Sequence, residues 1–353
     1  MQPLIELIVA SFEPLPWELA RTALGLGPGA AGRASMSAST VGRIRNLMAT
    51  GLRANGVTVK MPDETIRADV DAYHLCDIAT FTKPLDVVLM LFKAYDARWA
   101  AELIKPHLAK DGLLIGVQNG MTAETIADVV GPERTLPCVI ELAGELEGPG
   151  VVIRRSPHDQ GSWFALGSVD TATNGREEDV AELLRHVGEV EIVDDILSAK
   201  WMKLVMNSMT LATAALLGSG LNESYEIPGM RDLMLKAGAE ALTAGAERGH
   251  KPVPIVGLRQ SEIKNANNLL ELLVEKLESF TLPGTPTTIL QDHRKGRMSE
   301  TDGINGLVAE TLISSGHTAP ASQAIAEVTR RIHAGEIKPD SSNMELVRKL
   351  VAI

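Results

Sequence analysis

Two polar residues, Lys203 and Asn207, lie four positions apart in an otherwise apolar run, SAKWMKLVMNSMTLATAALLG, from Ser198 to Gly218. The run predicts a long helix, in which this spacing places both side chains on one face. An ammonium group beside apolar neighbours loses hydration and becomes a better proton donor, so the pair suits general acid catalysis. The alternative is a surface lysine whose charged end reaches water. Lys200, three residues earlier, competes for the catalytic role.

Two further polar residues end apolar runs that predict buried strands. Lys93 closes DVVLMLFK, and Asn119 follows the apolar part of GLLIGVQNG. Ligands of open α/β sheets bind at the carboxyl ends of parallel strands, so both side chains are candidates for the same crevice. Each also has a plainer interpretation, a solvated lysine for Lys93 and an Asn-Gly turn for Asn119.

The elements around these residues divide the chain into two parts. From Asp86 to about Asp195, short β-rich runs alternate with helical patterns, which predicts a parallel α/β sheet. VVIRR, WFALGS and EVEIVDDI resemble its later strands. After Ile196 the pattern is helical to the end of the chain. We therefore expect an α/β domain over residues 1–196 and an all-α domain over residues 197–353.

A glycine-rich loop, GPGAAG, has the spacing G-x-G-x-x-G at Gly27, Gly29 and Gly32. Such a loop binds a dinucleotide pyrophosphate when it follows a strand and opens a helix. Here the preceding LPWELARTAL has a helical pattern, and RASMSASTVGRIRN lacks a second strand that ends in a ribose-binding residue. A cofactor-binding loop and a flexible Gly/Ala-rich linker both stay open as interpretations.

Composition limits the classes of function. The chain has 353 residues, 45% of them hydrophobic, and a formal net charge of −11, which disfavours nucleic acids and anionic membranes as partners. No apolar run reaches the ~20 residues that span a bilayer. The opening PLIELIVASF lacks the basic start of a signal peptide, so we expect a cytoplasmic protein. Two distant cysteines and eight scattered histidines indicate neither a disulfide framework nor a metal site.

Several motifs resemble the ketopantoate reductase (2-dehydropantoate 2-reductase) family. They are FKAYDA, GVQNGM, KWMKLVMN and above all ILQDHRKGRMSETDGING, which concentrates acidic, basic and glycine residues. The similarity extends from about Arg53 to the C-terminus. It implies a Rossmann-like dinucleotide-binding domain, atypical over residues 1–52. It also implies a helical domain of the 6-phosphogluconate-dehydrogenase type for substrate binding and dimerisation, so a homodimer is expected.

The resemblance implies an activity and a catalytic centre. The family reduces a 2-oxo acid with NADPH, here foremost 2-dehydropantoate to pantoate. Lys203 takes the place of the catalytic lysine that protonates the ketone oxygen. Asn207, Asn119 and Thr288 take the places of substrate-binding residues.

The resemblance also implies a cofactor site. Lys93, Asn119 and Glu300 match residues on the cofactor side of the cleft, and the glycine loop would complete that site. Asp292 matches a motif aspartate with a structural role, as a cap or a hinge contact. No metal is implied.

Three departures from the family pattern bear on function. Leu211 stands where the family has a second asparagine, and Thr288 stands where it has a serine; both leave room for another branched 2-oxo acid. The third departure is the segment before Arg53, which lacks the opening strand and its glycine turn. We interpret about the first 50 residues as a displaced reading frame or a degraded segment.

Two alternative functions follow from these departures. One is another dehydrogenase with the same two-domain plan, of the opine or β-hydroxyacid type. The other is a catalytically impaired relative that kept the helical domain, which the aberrant N-terminal segment favours. Neither the substrate side chain nor the preference for NADP over NAD follows from the residues.

Overall fold

Strands form two sheets within residues 49–157, 161–265 and 268–351, which are the residues that the computed structural model describes. In chain order the strands are β1 (Val57–Lys60), β2 (Thr65–Ala68), β3 (Leu85–Met90), β4 (Leu108–Gly116), β5 (Thr135–Leu142), β6 (Gly144–Gly148), β7 (Val151–Arg154), β8 (Ser162–Leu166) and β9 (Glu189–Ile192). The main sheet has the order β3-β4-β5-β8-β9, and the second sheet has the order β2-β1-β7-β6.

The main sheet is mixed. Strands β3, β4 and β5 run parallel, β8 runs antiparallel to β5, and β9 runs parallel to β8. The predicted parallel sheet is therefore correct from β3 to β5 and wrong where β8 joins. No helix lies between β5 and β8 in the residues described there. Parallel neighbours need a long crossover connection, usually a helix, whereas antiparallel neighbours do not.

Helices cover both faces of the main sheet. They are α1 (Ala97–Ile104), α2 (Ala123–Val130) and α3 (Glu177–Leu184). Leu114 of β4 packs with α1 and α2, whereas its neighbours Leu113 and Ile115 pack with α3 on the opposite face. The alternation of side chains along a strand produces this division. Burial on both faces explains the apolar run from Leu113 to Gly116 in the second half of β4.

The second sheet contains one run that the sequence suggested for the main sheet, VVIRR, which forms β7. Its partner β1 lies within RANGVTVK, and the two strands pair in parallel. The assignment of VVIRR to the main sheet is wrong, because β6 and β7 form an antiparallel hairpin of their own. Gly150 closes this hairpin with a φ of 74°, a conformation that favours glycine.

The part of the chain after β9 is helical, as the sequence predicts. Its elements are α4 (Ile196–Leu216), α5 (Leu221–Ser224), α6 (Met230–Glu247), α7 (Gln260–Asn265), α8 (Leu269–Phe280), α9 (Thr288–Arg294), a π-helical turn (Asp302–Gly306), α10 (Leu307–Ser314), α11 (Pro320–His333) and α12 (Asn343–Val351). None of the helices in the described residues is both long and apolar enough to cross a bilayer.

Helix α4 is the centre of the helical part and is buried along nearly its whole length. Asp195 caps it by accepting a hydrogen bond from the Ser198 N–H at 3.0 Å. The Trp201 indole donates to the Ala241 carbonyl of α6 at 2.9 Å. A Cβ at Gly245 would lie 2.3 Å from the indole nitrogen, so only glycine fits there. This packing holds residues 200–207 beside the main sheet.

Part of the sequence prediction falls outside the described residues. Gly27, Gly29 and Gly32 lie within residues 1–48, as does nearly all of the segment interpreted as displaced or degraded. Both interpretations of that segment stay predictions.

Candidate functional site

Lys203 of α4 forms an ion pair with Glu141, which is the penultimate residue of β5. The two residues are distant in sequence, and α4 brings them together because it packs along the carboxyl end of β5. Lys203 is 7% exposed. Its ammonium group is therefore shielded from solvent and faces an acidic partner.

Asn207 lies one helical turn after Lys203 and contacts Asn119. The Asn207 Nδ2 donates to the Asn119 Oδ1 at 3.0 Å. Asn119 lies just beyond β4, in a turn where Gly120 has a φ of 76°. A Cβ at Gly120 would lie 3.5 Å from the Gly303 carbonyl oxygen, so the QNG turn faces the π-helical turn. We refer to Lys203, Glu141, Asn207 and Asn119 as the lysine–asparagine cluster.

Lys200 has a different environment from Lys203. It is 3% exposed, and its Nζ donates to the backbone carbonyls of Gln118 at 3.0 Å and Cys138 at 3.1 Å. Burial lowers the pKa of Lys200 to about 8, and the nearby Cys138 and Glu300 oppose this shift. The desolvation that the sequence suggested for a catalytic lysine is thus clearest at Lys200, which ties α4 to the ends of β4 and β5.

A second polar cluster surrounds Asp292 of α9, which has no exposed surface. The Asp292 carboxylate accepts a hydrogen bond from the Lys93 Nζ at 2.9 Å and one from the Arg297 Nε at 2.5 Å. Lys93 follows β3, so this contact joins the main sheet to the helical part. Two cations balance the carboxylate, as a buried charge requires.

Glu300 extends this cluster toward the loop after β3. Its Oε1 accepts the Ala94 backbone N–H at 2.8 Å, and its Oε2 lies 3.7 Å from the Lys93 Nζ. We refer to Lys93, Asp292, Arg297 and Glu300 as the Asp292 cluster. The π-helical turn follows it, and the Nδ2 of Asn305 in that turn donates to the Ser208 carbonyl of α4 at 3.0 Å. Short π-helical segments are frequent at functional sites.

Thr288 and Thr287 are neighbours with different roles at the start of α9. Thr287 caps the helix, since its Oγ1 accepts from the Leu290 N–H at 3.2 Å and donates to the Leu211 carbonyl at 2.9 Å. The Thr288 Oγ1 is buried and has no hydrogen-bond partner among the described residues. Its assignment to substrate binding stays a prediction.

The polar groups at the carboxyl ends of β3 and β4 fit a nicotinamide nucleotide. Gln118 is 4% exposed, and its Nε2 has no hydrogen-bond partner in the described part of the chain. Buried polar atoms are normally satisfied, so this amide is a donor in need of an acceptor. Lys93 adds positive charge nearby, suited to a phosphate. The pyrophosphate loop at Gly27, Gly29 and Gly32 stays a prediction.

Two residues of these clusters were missed by the sequence reasoning, Glu141 and Arg297. Glu141 carried one signal, because it is an acidic residue near the end of the apolar strand TLPCVIEL. Arg297 lies in the quoted motif but was given no role.

The fold and the polar clusters define an oxidoreductase in which an α/β sheet meets a helical part. Two family descriptions match the chain. "Ketopantoate reductase PanE/ApbA" matches residues 33–167, and "Ketopantoate reductase PanE/ApbA C terminal" matches residues 195–333. The chain belongs to the ketopantoate reductase family. The match begins at residue 33, before the limit near Arg53 that the motifs suggested.

Individual relatives agree with this family at low identity. A 2-dehydropantoate 2-reductase from Mesorhizobium japonicum is 26% identical over 270 residues, which covers 70% of this chain and 76% of that protein. A ketopantoate reductase structure from Ralstonia eutropha JMP134 has a TM-score of 0.67 at 22% identity, covering 82% and 88% of the two chains. A D-mandelate dehydrogenase with NADH and anilino(oxo)acetate has a TM-score of 0.70 at 15% identity, covering 82% and 89%. The structural likeness establishes the fold.

Proposed function

We propose that this protein reduces a 2-oxo acid to a 2-hydroxy acid with NADPH, and that 2-dehydropantoate is the substrate. The observation that carries the proposal is the shielded Lys203 ammonium group, one helical turn from the Asn207–Asn119 pair at the end of β4. Family membership and the name of the Mesorhizobium relative support the reaction. The NADH in the D-mandelate dehydrogenase structure supports a nicotinamide cofactor.

The described residues suit each part of this chemistry. NADPH supplies the hydride when it is bound, with Lys93, Asn119, Glu300 and the glycine loop as the residues that would hold it. The ketone oxygen gains negative charge as its carbon is reduced. Lys203 stabilises that charge and donates a proton from its Nζ to the oxygen.

The remaining residues orient the substrate. The Asn207 and Asn119 amides lie beside Lys203 and can donate to a substrate oxygen. The free Thr288 hydroxyl is a donor for the substrate carboxylate. Leu211, one turn after Asn207, offers an apolar surface to the substrate side chain where an asparagine was expected from the family.

Leu211 also supports a second candidate, a 2-oxo acid with a purely apolar branch or an aryl group. The anilino(oxo)acetate bound to D-mandelate dehydrogenase is a molecule of this kind. Without the second asparagine, the pocket loses a hydrogen bond to a polar side chain, which costs discrimination rather than the reduction itself.

Steady-state reduction of a panel of 2-oxo acids tests the proposal, with loss of absorbance followed for NADPH and for NADH. The panel contains 2-dehydropantoate, an unhydroxylated branched 2-oxo acid and an aryl 2-oxo acid, each with and without an amino acid as a second substrate. We expect the highest kcat/KM for 2-dehydropantoate with NADPH. Turnover that needs the amino acid would favour an opine-type enzyme instead. An NADPH fluorescence titration that shows no saturable enhancement, together with no turnover, would favour a catalytically impaired relative.

The domain limits 1–196 and 197–353 and the homodimer are part of the same proposal. Limited proteolysis with mass spectrometry tests the boundary, and light scattering on a sizing column tests the oligomer. A first cut in α4 beyond Ser198, or a monomeric mass, would contradict these two points without affecting the reaction.

A further inference from the structure

Glu141 is an acidic residue at the site that the proposed chemistry does not use. It lies two positions after Val139 in β5, so the two side chains point to the same face of the strand. Val139 packs in the hydrophobic cluster of α4, whereas Cys138 and Ile140 pack in the cluster of the opposite face. The alternation of β5 therefore directs Glu141 toward α4 and Lys203.

The ion pair is well shielded from solvent. The Lys203 side chain is 9% exposed and the Glu141 side chain 18% exposed. Water screens such a pair less than it screens an exposed one, so the attraction between the two groups holds the Lys203 side chain beside Glu141. An ammonium group has three N–H donors, and the ion pair leaves it further donors for a ligand.

Other acidic residues near the cleft are already engaged. Glu300 accepts the Ala94 N–H at 2.8 Å and lies 3.7 Å from Lys93. Asp292 accepts from Lys93 and Arg297. Among the residues of these two clusters, Glu141 is the acid that faces Lys203.

We propose that Glu141 is a positioning residue that holds the Lys203 side chain and directs its ammonium group at the substrate carbonyl. The substrate part of this inference rests on the proposed function. When Lys203 has given its proton to the carbonyl oxygen, the amine still faces the Glu141 carboxylate and keeps its place. A proton from solvent then restores the ammonium group for the next turnover.

Kinetics of Glu141→Gln test the proposal, because glutamine keeps the shape and removes the charge. We expect kcat to fall by about ten- to a hundredfold, the order expected for a misplaced catalytic group. We also expect the KM for NADPH to stay unchanged. Glu141→Asp keeps the charge and should restore part of kcat. Glu145→Gln is the matched control, because Glu145 pairs with Arg155 at 3.2 Å rather than with Lys203.

A second measurement does not depend on activity. Acetic anhydride labels a lysine amine more slowly when an ion pair holds it, and mass spectrometry of the Lys203 peptide gives a labelling curve, the labelled fraction against time at one pH. We expect this curve to rise faster in Glu141→Gln than in the wild type and in Glu145→Gln. If Glu141→Gln does not fold, Glu141→Asp should show a smaller shift in the same direction.

The two measurements separate the two hypotheses. Identical Lys203 labelling curves in wild type and both Glu141 variants would overturn the positioning role, whatever the rates are. A shifted labelling curve in a protein that reduces no 2-oxo acid would leave the role of Glu141 in holding Lys203 intact and refute the proposed function.

Discussion

The lysine–asparagine cluster and the Asp292 cluster both join the main sheet to the helical part, but they differ in what they leave free. In the lysine–asparagine cluster the contacts between side chains are pairwise, Lys203 with Glu141 and Asn207 with Asn119. In the Asp292 cluster one fully buried carboxylate receives two cations. The first arrangement keeps donors for a ligand, whereas in the second the Asp292 carboxylate is fully committed to holding the two parts together.

This difference assigns chemistry to one cluster and structure to the other. A group that must bind a substrate needs spare hydrogen-bonding capacity, because each lost partner of a buried polar atom costs free energy. A group that fixes two elements is most effective when it is completely paired. The comparison therefore predicts large effects on turnover at Lys203 and large effects on stability at Asp292.

The largest expected effect is on turnover at Lys203. We expect Lys203→Ala to reduce kcat by about 10² to 10⁴, the span for loss of a general acid. Lys200→Ala should keep a much larger part of kcat, although it removes hydrogen bonds to the Gln118 and Cys138 carbonyls and so lowers stability. Stopped-flow reduction at a temperature where both variants are folded measures the difference. If Lys200→Ala were the slower enzyme, the roles of the two lysines would be reversed.

The next largest effect is on stability at Asp292. Asp292→Ala leaves Lys93 and Arg297 without their shared carboxylate, and breaking a buried ion pair costs about 3–5 kcal/mol. Asp128→Ala is the matched control, because Asp128 and its partner Arg98 are both largely exposed and such pairs contribute about 1 kcal/mol or less. Urea unfolding measures both. Equal losses would mean that the Asp292 cluster does not hold the two parts together.

These two predictions rest on contacts that the sequence could not reveal in full. The spacing of Lys203 and Asn207 predicted a helix with both residues on one face, and α4 confirms the helix. Local spacing could not decide between Lys200 and Lys203, because the partners of both are distant in sequence. Lys200 donates to the backbone carbonyls of Gln118 and Cys138. Lys203 pairs with the carboxylate of Glu141, 62 residues away. The same reason explains the error over β7: VVIRR is a strand, as its composition indicates, but its partners are set by the hairpin with β6.

At acidic pH the folded protein should lose stability through His293, a residue of α9 that adjoins the Asp292 cluster. His293 follows Asp292 and contacts His333, with 5.4 Å between the ring centroids. Burial, and then the neighbouring His333, lower the pKa of His293 from 6.5 to about 4. The unfolded chain therefore binds more protons between these values, so the contribution to stability is complete above pH 6.5 and is lost as the pH falls toward 4.

Urea unfolding at pH 7 and pH 5 measures this loss. We expect His293 alone to account for about 2 kcal/mol of the decrease in the free energy of unfolding. Burial also lowers the pKa values of His333 and His250, so the comparison with His293→Gln isolates the contribution of His293. Parallel pH dependence in wild type and variant would show that His293 titrates alike in the folded and unfolded chains.

The smallest expected effect separates the adjacent residues Thr287 and Thr288. Thr288→Val keeps the shape and removes a hydroxyl without a partner in the described residues, so we expect stability to stay within about 0.5 kcal/mol of wild type. The KM for the 2-oxo acid should rise about tenfold, since a hydrogen bond to a charged group contributes about 1.5–3 kcal/mol. Thr287→Val should do the opposite, with a loss of about 1–2 kcal/mol in stability from the missing helix cap. Its KM should stay close to wild type. An unchanged KM in Thr288→Val would show that Thr288 does not bind the substrate. The unpaired Thr288 hydroxyl at the start of α9 would then need another ligand.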